Sequence, residues 1–279
     1  MSPIVESLIK SAAIPAAVVA AAVFATGRLK EPLRARVQAL TIAVGFMVGH
    51  FMLIGRLGFP PSDGGEAMSY AALGCAVFVL IFPTVQQAPY AMRALFVLIL
   101  GGVALWHLGA TMKMDPHLRN AIAFFCLGLG VWSIIERNTQ RVNLLSLIGL
   151  PLIVASCLSF ILLFGASATF SQMTSILCAI MGGLMAIALI WPGKISKAAV
   201  VPFISIFLIL IMAAGHFYLD INPWKMVIIC IPFLFIWTRS WYPFIPSNPI
   251  IEFIILAIMA LIPLSYFMYD SFVNAGPLV

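Results

Sequence analysis

Long apolar segments follow one another along the whole chain, separated by short stretches rich in glycine, proline or charged residues. About 20 continuous apolar residues cross the ~30 Å hydrocarbon layer of a bilayer as a helix. Because the apolar residues are continuous rather than alternating, they predict membrane helices and exclude a membrane β-barrel. With the separating stretches as boundaries, about ten spanning helices are expected. They are Ile4–Thr26, Val37–Gly55, Ser69–Val85, Ala94–Thr111, Leu118–Ile135, Val142–Phe164, Gln172–Trp191, Ala198–Tyr218, Lys225–Thr238 and Pro249–Met268.

An internal repeat links these helices. Six residues from Pro32 to Arg56, including His50, are matched 57 positions later by similar residues from Pro89 to Lys113, including His107. Four cysteines follow one another at steps of 51, 52 and 52 residues: Cys75, Cys126, Cys178 and Cys230. Such self-similarity is typical of one supersecondary unit in tandem. We therefore predict an all-α integral membrane protein of tandem helix hairpins of roughly 52–57 residues, without a soluble domain. The parts of this single domain are 1–36, the hairpins 37–92, 93–141, 142–197 and 198–248, and 249–279.

The composition supports this class. Apolar residues make up 63% of the chain and charged residues 9%, whereas soluble domains are about half apolar and a quarter charged. The net charge of +6 raises the question of a nucleic-acid partner. Because the basic residues lie scattered in short loops, no such partner is predicted, and the lipid bilayer is the expected surrounding.

The basic residues predict the orientation instead. Ten lysines and arginines fall in the loops of one side and five in those of the other. The richer side is expected to be cytoplasmic, with both termini outside a bacterial inner membrane. Positive charge follows the first apolar segment rather than preceding it, so that segment is interpreted as a spanning helix and not as a secretory signal. The ten residues are Arg28, Lys30, Arg34, Arg36, Arg93, Arg137, Arg141, Lys194, Lys197 and Arg239.

Three histidines occupy equivalent positions, since His50, His107 and His216 each lie about four to six residues before the outer end of a predicted helix. Imidazole can ligate haem, copper or zinc, and His50 with His107 would form the pair for a haem. The alternative is a neutral imidazole that bonds a carbonyl or water and is repeated because the hairpin was duplicated. We favour the alternative because no local ligand spacing such as His-x-x-x-His is present. No firm metal site and no cofactor are predicted.

The residues near the outer face form the candidate site, which would favour neutral or anionic solutes over cations. The turn Gly165–Gln172 carries small hydroxyl side chains, which either line a polar pocket or cap the next helix. The periodic cysteines could form a thiolate layer for a soft metal, or simply pack as small hydrophobic groups. The candidate residues are His50, Arg56, His107, Lys113, Ser167, Gln172 and His216.

Several classes of function lack support. No Asp, Glu, Lys or Arg is predicted near the middle of a helix, which disfavours an ion-coupled carrier. Walker and HExxH motifs are absent, and no catalytic residues are predicted. Seven glycines near the middles of helices are expected to let neighbouring helices approach closely. They are Gly45, Gly101, Gly102, Gly128, Gly130, Gly182 and Gly183.

The leading hypothesis is a non-enzymatic structural or interaction subunit of an inner-membrane complex, which packs against lipid, other membrane subunits or a second copy. It is motivated by an apolar interior with few polar features. The first alternative is a transporter or channel for a small neutral or anionic solute that enters from the outer face. The second is a carrier of haem or another His-ligated metal. No motif in the sequence points to a known family.

Overall fold

The computed structural model describes residues 12–59, 61, 64–83, 88–104, 114–164, 168–219, 221–238 and 248–273. Within these ranges the chain forms helices and no strand. The helices are α1 (Ile14–Thr26), α2 (Leu33–Ile54), α3 (Gly64–Ile81), α4 (Tyr90–Ala104), α5 (Met114–Asn138), α6 (Leu144–Phe164), α7 (Ala168–Ile190), α8 (Lys197–Pro202, Phe203–Phe207 and Leu208–Leu219 in continuous succession), α9 (Pro223–Ile229 and Ile231–Thr238) and α10 (Pro249–Val273).

These helices correspond one to one with the predicted segments. Seven are long and apolar enough to cross a bilayer, and α1, α4 and α9 provide three shorter apolar helices. The prediction of an all-α, multi-pass membrane protein is thus confirmed, and the described ranges contain no soluble domain. Several boundaries were wrong by a few residues, because helices extend past the apolar segments into polar residues. For example, α2 begins at Leu33 rather than Val37, and α10 ends at Val273 rather than Met268.

Helix α8 forms the centre of the bundle and packs against α2, α3, α4, α5, α6, α7 and α9. In the most apolar part of Lys197–Tyr218, 94% of the residues are buried. The helix is not regular, because a π turn spans Phe203–Phe207 directly after Pro202. Proline has no N–H to donate to the preceding turn, and such interruptions are where wide turns are accommodated. The π turn is fully buried, with Phe207 edge-on to Phe46 of α2 at 4.8 Å between ring centroids.

Helix α1 packs closely against α2 and α7 because glycines provide the space. A Cβ atom added to Gly45 would lie 2.3 Å from the Val19 side chain, and one on Gly183 would lie 3.0 Å from the main-chain oxygen of Ala16. The expected role of glycine in close packing is therefore confirmed at these two positions.

The same expectation was wrong for four other glycines. A Cβ atom added to Gly101, Gly102, Gly130 or Gly182 would have no neighbour within 4 Å. At Gly128 it would make only ordinary contacts, the nearest at 3.6 Å. These glycines border open space, so their lack of a side chain leaves room rather than bringing helices together.

One end of the bundle collects the basic residues that were assigned to the cytoplasmic side, and we call it the basic end. The side chain of Gln38 joins α2 to the connection between α7 and α8: its Oε1 accepts from the Ser196 N–H at 2.8 Å, and its Nε2 donates to the Lys194 carbonyl at 2.7 Å. Lys197 Nζ donates to the carbonyls of Thr139 and Val142, which fixes the turn between α5 and α6. That the basic end faces the cytoplasm stays a prediction. Residues that define the basic end are Arg34, Arg93, Arg137, Arg141, Lys194 and Lys197.

Candidate functional site

A cleft of about 550 Å³ lies between α4, α5 and α8, in the half of the bundle away from the basic end. Its volume falls within the roughly 300–1000 Å³ of small-molecule sites. Every residue that lines it is apolar. The lining residues are Val97, Leu98, Gly101, Gly102, Ala121, Phe124, Phe125, Gly128, Ile206, Ile209, Leu210, Ala213 and Phe217.

The three walls differ in how the sequence forms them. On α4, Gly101 and Gly102 have no side chains, and no neighbouring helix moves in to fill the space. On α8, the lining residues from Ile206 to Phe217 recur at spacings of three and four, which places them on one helical face. Ile206 belongs to the π turn, so the irregular part of α8 borders the cleft. Such turns in helices are frequent at functional sites.

A polar pair lies next to the cleft at the end away from the basic end. His216 of α8 contacts the rings of Phe124 and Phe217, with centroids 5.7 Å and 4.8 Å away. Its Nδ1 lies 2.7 Å from the carbonyl oxygen of Ile221, and its Nε2 lies 2.8 Å from the amide nitrogen of Asn120. The carbonyl can only accept, so we assign the proton to Nδ1, and Nε2 then accepts from Asn120. Both ring nitrogens are therefore satisfied within the protein.

Aromatic residues close the cleft toward the basic end. The buried Trp132 of α5 lies edge-on to Phe78 and Phe96, at 5.0 Å and 6.0 Å between centroids. Beyond this cluster, Arg93 of α4 forms a bidentate ion pair with Glu136 of α5. The apolar cleft thus lies between a His–Asn pair and an aromatic cluster with an ion pair behind it.

Two residues of the predicted outer-face site contact the start of α3. His50 is fully buried, and its Nδ1 lies 2.5 Å from the hydroxyl oxygen of Ser69. Arg56 lies 3.5 Å from the carboxylate of Glu66, which is itself buried in the first turn of α3. These interactions join the end of α2 to α3.

Two further residues of that prediction lie on α8 and α7. His216 contacts α5, and Gln172 is a half-buried residue of α7. Three members, His107, Lys113 and Ser167, lie outside the described residues. The predicted outer-face site and the predicted haem pair therefore stay predictions. In the described ranges there is no group of three or more His, Cys, Asp or Glu residues that could hold a metal ion.

The periodic cysteines have separate surroundings. Cys75 approaches the Pro202 carbonyl at 4.0 Å, Cys178 the Ser156 hydroxyl at 3.7 Å, and Cys230 the Met212 sulfur at 3.5 Å. Cys126 is exposed on α5. Cys75, Cys178 and Cys230 thus contact different neighbours, which agrees with the interpretation of these cysteines as small packing groups.

The cleft itself was not predicted from the sequence. Its most informative signal is the Gly101–Gly102 pair, which was assigned to close helix packing. The pair could have indicated a cavity only if α4 had been known to face Gly128 on α5 and Ala213 on α8. Hydropathy carries no information about which helices become neighbours.

Fold and cleft together define an α-helical, multi-pass membrane protein with an apolar cleft. Compared with known proteins, the chain matches no family model, no curated protein and no solved structure.

Proposed function

We propose that this membrane protein binds an apolar molecule, or the apolar chain of a lipid-like molecule, in the cleft between α4, α5 and α8. The observation that carries the proposal is a cavity of about 550 Å³ whose lining side chains are all apolar. An apolar ligand can occupy this cavity without leaving a polar group of its own unpaired, because it has none to bury.

The lining also selects against polar solutes. A hydroxyl or amide group transferred from water into this cleft would find no side-chain partner among the lining residues, and an unpaired polar group costs about 1–3 kcal/mol in protein interiors. Of the solutes considered from the sequence, a neutral and apolar one fits this cleft and an anionic one does not. Exposed residues at the rim, Leu98 and Gly102, suggest that the ligand arrives sideways from the bilayer.

Filling the cleft with a side chain tests the proposal. A phenylalanine at Gly101 has space for its Cβ atom and would project from a lining position, so Gly101→Phe should displace the ligand without a clash. Gly182→Phe is the matched control, because its Cβ atom is equally free but it lies on α7, away from the cleft. We expect the wild type and Gly182→Phe to retain a bound apolar molecule through detergent washing, measured by native mass spectrometry, and Gly101→Phe to lose it. Equal retention by all three proteins would contradict the proposal.

A second candidate function is the structural or interaction subunit predicted from the sequence. The observation that favours it is α10, which packs against α6 and α9 and leaves most of its surface outside the bundle. Only 22% of its most apolar part is buried, and exposed aromatic residues include Tyr266, Tyr269 and Phe272. A membrane helix of a partner subunit would pack on this face.

Copurification tests the second candidate. If α10 carries the interface, a mildly solubilised protein should run as a complex, and replacing Ile258 and Ile262 by tryptophan should release the partner. Tryptophan at Leu95 and Ile99, which are exposed on α4, provides a control of equal bulk on another face. A wild-type protein that runs alone under these conditions would exclude the subunit role.

A further inference from the structure

A second depression lies at the basic end, between the beginning of α4 and the end of α5. Its volume is about 280 Å³, and in contrast to the apolar cleft its lining is polar. The lining residues are Tyr90, Arg93, Glu136, Arg137, Gln140 and Arg141. Three arginines against one glutamate leave two positive charges in excess.

The excess charge is located on Arg137 and Arg141. Glu136 is already engaged by both terminal nitrogens of Arg93, with Nη2 at 2.8 Å from Oε1. Arg137 and Arg141 are exposed, and neither has a carboxylate within ion-pair distance in the described part of the chain. Their guanidinium groups are therefore available to an anion from outside the protein.

The buried wall of the depression contains an unpaired donor. Arg93 is only 6% exposed, and its Nε has no hydrogen-bond acceptor among the described residues. Its guanidinium plane is held by Glu136 and by the Tyr90 ring, whose centroid lies 4.8 Å away. A buried donor that is left without an acceptor is costly, so the interior side of the depression has an unmet demand for a hydrogen-bond acceptor.

A neighbouring depression shows that this arrangement is not general at the basic end. That depression, of about 370 Å³, contains two cations, Arg34 and Lys197, and two carboxylates, Glu31 and Glu136. Its cations are occupied: Arg34 bonds Glu31 and the Gly193 carbonyl, and Lys197 bonds two carbonyls. Charge excess and an unmade buried donor occur together at the α4–α5 depression.

We propose that the α4–α5 depression is a binding site for a phosphate group, held by Arg137 and Arg141 with Arg93 as its buried wall. Arginine forks match the oxygens of phosphate and give stronger hydrogen bonds than neutral donors. The position at the ends of two membrane helices suits the headgroup of an anionic lipid, and the same chemistry suits a free phosphate-bearing solute. The proposal does not depend on what fills the apolar cleft.

The test uses the full chain, with Arg137→Gln and Arg141→Gln combined in one variant. Both side chains are exposed and form no ion pair with the described residues, so we expect the variant to keep its fold. An unchanged thermal midpoint in the absence of ligand would verify this. The control variant combines Arg28→Gln with Lys30→Gln, which removes the same charge from exposed residues of the α1–α2 loop, also predicted to face the cytoplasm.

Two probes separate the two sources of phosphate. Native mass spectrometry with equal amounts of phosphatidylglycerol and phosphatidylcholine measures lipid preference, and thermal unfolding with inorganic phosphate at constant ionic strength measures the bare anion. We expect the wild type and the control to prefer phosphatidylglycerol, and the Arg137/Arg141 variant to lose this preference by about tenfold. If inorganic phosphate also raises the thermal midpoint of the wild type, the phosphate group alone is sufficient for binding. If the wild type prefers phosphatidylglycerol but is not stabilised by inorganic phosphate, the ligand is the lipid headgroup.

The proposal is overturned if the Arg137/Arg141 variant keeps the wild-type lipid preference, or if the control loses as much. Either result would mean that general surface charge, and not this depression, attracts the anion. Gly101→Phe should leave the preference for phosphatidylglycerol unchanged. The experiments thus distinguish the two proposals: one can show that the apolar cleft binds no ligand while the other still shows binding at the phosphate site.

Discussion

Two helices of nearly equal hydropathy occupy opposite environments in this protein. The apolar parts of α8 and α10 have mean hydropathies of 2.5 and 2.3, yet 94% of the first is buried and only 22% of the second. In water, exposed apolar surface would drive α10 into the bundle. In a bilayer lipid chains are as apolar as leucine, so hydropathy places a helix in the membrane but not among other helices.

What distinguishes the two helices is the fit of their side chains. The buried face of α8 includes Gly215, where an added Cβ atom would lie 2.8 Å from the Leu162 side chain, and Phe207, which meets Phe46 of α2. Along α10, bulky residues such as Ile258, Ile262 and Tyr269 point away from the bundle. Packing and hydrogen bonds must therefore account for the central position of α8. Single substitutions can remove either kind of interaction and so test this explanation.

The largest effect is expected from Phe207→Ala. The Phe207 side chain is fully buried against Phe46, so truncation leaves a cavity that should lower the free energy of unfolding by about 3–5 kcal/mol. Ile258→Ala on α10 is the control, since the side chain is 56% exposed and lipid can fill the space. Denaturant unfolding in mixed micelles measures both. Equal losses would mean that α10 is packed as tightly as α8 in the membrane.

An intermediate effect is expected from Gln38→Leu, which removes the polar connection at the start of α8. Leucine leaves the Ser196 N–H and the Lys194 carbonyl without their buried partner, at a cost of about 1–3 kcal/mol. Hydrogen exchange should increase in the connection between α7 and α8. Gln172→Leu is the matched control, because the described residues give that side chain no hydrogen bond, and it should change stability by less than about 0.5 kcal/mol.

The smallest effect is expected at the beginning of α10. Asn248 caps this helix by accepting from the N–H groups of Ile250 and Ile251 at 2.9 Å and 3.3 Å. Asn248→Ala should cost about 1 kcal/mol and increase hydrogen exchange in the first turn of α10 alone, whereas Asn248→Asp should restore protection. A global loss of stability would show that α10 is coupled to the core more strongly than its burial suggests.

The sequence predicted the type of the helices and their order along the described ranges, because the bilayer imposes an apolar composition on each one. Helix α9 breaks at Cys230, because Pro232 has no N–H to donate to the turn before it. The sequence did not predict which helices lie next to one another. The partner of His216 is Asn120, 96 positions away, and no periodicity specifies such a pair.

For the candidate sites, the sequence located polar residues but not their neighbours. The sequence analysis used Arg93, Arg137 and Arg141 to predict the orientation. They form a candidate binding site because all three line one depression between α4 and α5. Gly101 and Gly102 were assigned to helix contact, although they line open space. In both cases the residue type was informative, and the identity of the facing helix decided its meaning.

The position of the apolar cleft has a consequence for any molecule that occupies it. Its exposed rim residues, Leu98 and Gly102, lie on the apolar helix α4, on the outside of the bundle. If a ligand enters past this rim, as we propose, it first dissolves in the bilayer and reaches the cleft by lateral diffusion, so its effective concentration is its mole fraction in the membrane. Every neighbouring lipid is a competitor at nearly undiluted concentration, and occupancy depends on how much better the ligand fits than bulk lipid. An affinity expressed per volume of water would therefore change with the amount of lipid in the assay, while the protein stayed the same.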